Sequence, residues 1–104
     1  MILTTSSKVP GKNLKSTEGL VHGSTVRTTS AKEDVMTGLK GVFGGELTKA
    51  TKIIEIARHE ATNRMIAEAK EKGADAIIGV QYSAASNIFG AIELFVYGTA
   101  VKLD

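Results

Sequence analysis

The run from Leu47 to Lys72 constrains this chain most, because Leu47, Ala50, Ile54, Ala57, Ala61 and Met65 recur at steps of three or four residues. That period predicts one face of an amphipathic helix about five turns long. The alanines on this face imply close packing against a sheet. Lys72-Gly73 closes the helix, since glycine takes the left-handed conformation that satisfies the last carbonyls. Ile56 and Ile66 fall off the stripe, one on each flank, and call for other partners.

A helix with one apolar stripe needs a second layer to cover it, and the rest of the chain supplies strands. Val9-Pro10-Gly11-Lys12-Asn13 reads as a turn, from proline's fixed φ and glycine's freedom. A strand follows from Leu14 through Val26, with Gly19 and Gly23 as bulges or points of close contact. Ser30-Ala31-Lys32-Glu33 has capping-box spacing and opens a short helix. Val35, Met36, Leu39, Val42 and Phe43 form its buried stripe, and Gly44-Gly45 end it. From Ala74 to Val80 the chain is almost continuously apolar, as in a strand covered on both faces. After a turn around Ser83 to Asn87, the last strand, Ile88 to Leu103, sets Ile92, Leu94 and Val96 on one face and Glu93, Phe95 and Tyr97 on the other.

One helix layer cannot cover both faces of such a sheet. Apolar area therefore remains outside it and on the helix flanks, more than a soluble monomer usually exposes. Self-association is the expected remedy, and a ring of subunits also covers the open sheet edges.

Length and composition narrow the function classes. A chain of 104 residues fits one domain, 1–104, and 42% hydrophobic with 23% charged residues is ordinary globular composition. Without cysteine there is no disulfide, thiolate nucleophile or cysteine-based metal site. Thirteen basic against 11 acidic residues leave a net charge of only +2, with the lysines dispersed, and five aromatics offer little for base stacking, so nucleic acid is not an expected partner. No apolar run follows a basic start, and none approaches the length of a membrane span, so the expected setting is cytoplasmic with no membrane partner.

Candidate sites are sparse. Glu55 and His59 stand at i and i+4 near Asn63, the best pair for a divalent metal, but two ligands are too few. The string His59-Glu60-Ala61-Thr62-Asn63 approaches the zinc-protease motif, with Asn63 where the second histidine belongs. His22 lies alone in the first strand; copies around a symmetry axis would let it or Glu93 line a central opening. Gly38-Leu39-Lys40-Gly41 matches the backbone-clamping loop of KH modules, yet helical periodicity runs straight through it. The glycines from Gly38 to Gly45 lack the Lys-Ser/Thr of a phosphate loop, and Ser83 and Ser86 lack a nucleophile-elbow setting. Arg58, Arg64 and Glu68 border the helix stripe, where paired structural roles are expected.

Gly44-Gly45-Glu46, Ala57-Arg58, Met65, the run Gly73 to Val80 and Tyr97-Gly98-Thr99-Ala100-Val101-Lys102 occur in an order and spacing that resembles the YbjQ-type family, often labelled heavy-metal-binding. The resemblance runs from about Gly19 to Lys102. It implies an α+β fold: a dodecin-like two-layer β-α-β-β sandwich, its antiparallel sheet packed on one long helix with a short preceding helix and its final strand central. It also implies a homopentameric ring. It implies no established reaction, and soft thiolate ligands are missing here.

The reading is a non-enzymatic, ring-forming homo-oligomer with a binding or scaffold role. The alternative is a metal- or small-ligand-binding protein with sites at subunit interfaces, for which Glu55, His59 and His22 are the candidate ligands.

Overall fold

Val9, Pro10, Gly11 and Lys12 form the expected turn: Gly11 takes φ +79° and the Lys12 amide donates to the Val9 carbonyl at 3.1 Å, with proline at the position that fixes φ. The chain is described from a computed structural model over residues 1–28, 43–86 and 90–104, the side chains of residues 28 and 43–50 excepted. The short helix expected from Ser30, its capping box and the Gly38–Gly41 loop lie outside the described residues.

Four strands, β1 (Ile2–Leu3), β2 (Leu14–Thr28), β3 (Ala76–Ser86) and β4 (Ala91–Leu103), and a helix, α1 (Phe43–Glu71), are described. The sheet order is β1-β3-β4-β2. The final strand β4 is interior and antiparallel to both β2 and β3. The expected all-antiparallel sheet is corrected to a mixed one, since β1 pairs parallel with β3 through Ile2↔Ala76 and Leu3↔Ile77. The first residues carry too little periodicity to announce a two-residue strand.

The expected span of α1, Leu47 to Lys72, is also adjusted. The helix starts at Phe43 and runs through Gly44 and Gly45, which were expected to end the preceding helix. Glycine lowers helix propensity by about 1 kcal/mol but removes no backbone hydrogen bond, so a long helix absorbs it. The other end follows expectation. Gly73 adopts φ +72°, its amide donates to Lys70 O at 3.0 Å, and the Ala74 amide donates to Ala69 O at 3.0 Å, the paired bonds of a Schellman cap.

The buried stripe of α1 is Ala57, Ala61, Met65 and Ala69, at steps of four. It packs with Val21, Ile77, Val80, Leu94, Val96 and Ala100 into the main core. Two calls on the helix change. Ile54, placed on the stripe, is 43% exposed, because among the described side chains of α1 burial in the core begins only at Ala57; Ile66, expected to need an outside partner, packs against the chain's own core. Ile56 is exposed, as its flank position implied.

Strand β3 is covered on both faces at its start, as its apolar run predicts, but by the chain itself. Ile77 faces the main core, while Ala76 joins Val9 and Val101 in a second cluster, with Ile78 and Leu103 packed on it. The N-terminal segment carries Val9 there and is tied to β3 by Thr4 N to Ile77 O at 3.0 Å, Val80 N to Thr4 O at 3.0 Å and Gly79 N to Ser6 O at 2.9 Å. Beyond the register shift between Ile78 and Gln81, β3 continues through Ser86, longer than expected, and every residue from Gln81 to Ser86 is exposed.

Candidate functional site

The alternation of β2 and β4 sorts their side chains onto two faces. Val21, Gly23 and Thr25 face α1 with Leu94 and Val96; His22 and Ser24 face away, opposite Tyr97 and Phe95 across the register. Phe95 stacks obliquely on Tyr97 with ring centroids 5.7 Å apart, and His22 lies 6.1 Å from Phe95. Glu68 of α1 meets His22 at the β2 edge, Oε2 standing 3.6 Å from Nδ1. Glu93 is exposed on the same outer face, opposite Val26.

A connected polar group of described residues joins α1 to β2. Glu60 accepts from Arg27, from the Thr25 hydroxyl at 3.1 Å and from Arg64 Nη2 at 2.6 Å, while Arg64 Nη1 donates to the Ser24 carbonyl at 2.5 Å. The Arg27 hydrogen bond, then the Thr25 hydroxyl, hold the Glu60 carboxyl below its ordinary value of 4.5, against the opposing effect of burial. Glu60 and Arg64 stand one turn apart at i, i+4, whereas Arg27 and Thr25 arrive from more than 30 residues away.

Because the folded state holds Glu60 more acidic, its stabilisation is fully present above the unfolded glutamate value and is lost as pH falls through the depressed folded value. Glu60→Gln is expected to lower stability at neutral pH and to flatten the stability profile below about pH 4.5. Denaturant midpoints from pH 7 to 3 check this, and a variant with the wild-type acid slope contradicts it.

The sequence candidates fall on different elements. Glu55 and His59 are both exposed on α1, as is Asn63, and His22 is exposed on β2 beside Glu68. Among the described residues no group of three His, Cys, Asp or Glu side chains comes together. The glutamate that would act as base in a zinc-protease motif is Glu60, already engaged by Arg27, Arg64 and Thr25. The described residues of one chain thus bring together no donor set that fits a resident heavy metal, which favours several soft ligands at once. Ser83 and Ser86 are exposed along β3, and no described helix is long and apolar enough to cross a membrane.

A family model named YbjQ and described as "Putative heavy-metal-binding" matches residues 1–104. A UPF0145 protein of Hahella chejuensis is 48% identical over 104 residues, covering all of both chains. One from Archaeoglobus fulgidus is 44% identical over 103 residues, covering 99% of this chain and 95% of the relative. One from Methanosarcina acetivorans is 42% identical, covering 99% and 97%. A crystal structure of a DUF74-family protein of unknown function from Pediococcus pentosaceus superposes with a TM-score of 0.70 over 100% of this chain and 98% of that one; at 18% identity the likeness concerns the fold.

Proposed function

This chain belongs to the YbjQ family, and from that premise we propose that it works as a ring-forming homo-oligomer with a binding or scaffold role rather than as an enzyme. The observation that carries the reading is apolar surface that one copy does not cover. Ile54 and Ile56 on α1, Leu20 and Val26 on β2, Tyr82 on β3 and Tyr97 on β4 are all exposed. The shape supports it: the radius of gyration is 17.1 Å, against about 13 Å for a self-contained globule of this length.

Light scattering at micromolar concentration is expected to give a mass several times the 11.0 kDa of the chain, and a pentamer is the form the family resemblance points to. A clean monomer would sink the reading.

A second reading places a divalent metal or small ligand at subunit boundaries. It draws on the family description and on His22 with Glu68 beside the Phe95 ring, two donors that a neighbouring copy could complete. Calorimetric titration with zinc, nickel and copper is expected to give heats that His22→Ala or His59→Ala diminishes; no heat above buffer counts decisively against it.

A further inference from the structure

Resting on the binding role proposed above, we infer that the outer face of the sheet carries a site for a small organic cation, its ammonium on Glu93 and its flat apolar body on the Phe95 ring. The site lies within one chain and is distinct from the His22 and Glu68 pair.

Strand register builds it. Across β3 and β4, Ser83 pairs with Phe95 and Ala85 with Glu93. All four lie on the face turned away from α1, because Leu94 and Val96, which alternate with Glu93 and Phe95, are buried in the core that α1 covers. Two small side chains thus stand opposite two large ones. The depression this leaves is a cavity of about 350 Å³ lined by Ser83, Ala84, Ala85, Glu93 and Phe95. Its volume falls at the lower end of the roughly 300–1,000 Å³ typical of small-molecule sites.

One end of the cavity is an aromatic wall. His22 and Tyr97 pair across the register two residues beyond Phe95, with ring centroids 6.1 and 5.7 Å from it. They back the half-buried Phe95 ring from the side remote from Glu93, and its other side lines the cavity. The other end is a charge. Glu93 is exposed, its neighbours across the register are the apolar Val26 and Ala85, and among the described residues its carboxylate has no ion-pair or hydrogen-bonding partner. Glu60, by contrast, is engaged by two arginines and a hydroxyl.

Wall and charge together select the ligand. The carboxylate calls for a cation, and the ring for a flat apolar group that stacks on it. A divalent metal needs more oxygen donors than one carboxylate and the Ser83 hydroxyl supply. Side chains at i and i+2 on a strand stand about 6.8 Å apart, so a short linker separates the ammonium from the apolar group, as in an arylalkylamine.

Titration of the full chain with phenethylamine tests this, with phenethyl alcohol and phenylpropionate as neutral and anionic counterparts. In amide NMR spectra the amine is expected to shift Ser83, Ala85, Glu93 and Phe95 saturably, the alcohol to bind several-fold more weakly and the acid not at all. Glu93→Gln, at an exposed position, is expected to weaken the amine by about three- to fivefold, the size of an exposed ion pair, and to leave the alcohol unchanged. Phe95→Leu is expected to weaken amine and alcohol alike. Circular dichroism checks that both variants fold, and if Phe95→Leu does not, Glu93→Gln alone decides. Equal binding of amine and alcohol, shifts that never saturate, or an amine affinity untouched by Glu93→Gln overturns the inference. Light scattering on the same samples reads the assembly separately. A ring that takes no amine overturns the inference alone, and a monomer that takes it overturns the ring alone.

Discussion

Gly23→Ala is expected to cost at least about 3 kcal/mol of stability, the upper end for overpacking, because the added methyl meets backbone and not a side chain that can turn aside. A Cβ at Gly23 would lie 2.0 Å from Ala61 O and 2.7 Å from Met65 N. Both atoms belong to α1 where it crosses β2, so relief requires the helix to lift. Lifting it opens the stripe of Ala57, Ala61, Met65 and Ala69, all fully buried. Against a total of about 5–15 kcal/mol for a small domain, this loss should leave little folded protein at moderate denaturant. Equilibrium urea unfolding measures it, and a midpoint near wild type would show that α1 does not lie against β2 at this distance. Gly19→Ala is the informative companion: nothing lies within 4 Å of its added carbon, so its cost comes from φ +109° alone.

Met65→Ala is expected to destabilise by about 2–5 kcal/mol through the cavity it leaves. Met65 is among the largest fully buried side chains and belongs to the main core with Val21, Ile77 and Val96. Its neighbours on the helix stripe are alanines, too short to close over the gap, which puts the expected loss in the upper part of that range. Met65→Leu conserves volume and is expected to cost less than about 1.5 kcal/mol. Thermal or denaturant midpoints of the two variants test the difference; equal losses would mean that the site does not depend on filled volume.

These two positions show how much of the fold the sequence carried. Met65 was placed on the buried stripe from its spacing with Ala57 and Ala61, a local period that needs no knowledge of the partner. Gly23 was recognisable as a bulge or close contact, but the contact itself, with Ala61 O, depends on how α1 is laid across the sheet. Ile54 failed by the same logic: helical period puts it on the stripe, but period says nothing about where the underlying sheet ends. Ile66 failed in the opposite direction, because the core was wide enough to reach the flank where it stands.

The polar groups were less legible than the apolar ones. Glu60 was read as part of a near-motif with His59, whereas its partners Arg27 and Thr25 come from β2 and hold it as a structural anion. His22 was read as a lone strand histidine and proved to have Glu68 and Phe95 beside it. Glu55 and His59 were legible as a pair but not as a site, since no third ligand stands with them among the described residues.

By itself, then, the sequence determined the long helix, its alanine stripe and its glycine cap, the alternation that sorts β4, and the family. All of these depend on residues close along the chain, where backbone geometry alone relates one position to the next. Tertiary structure alone decided that β1 adds a parallel strand, that Val9 folds back over the outer face of β3, and that the Ile56 and Tyr82 flanks stay uncovered. Each of those turns on which distant segments come to lie side by side, and the energy that selects among such arrangements is summed over the whole core.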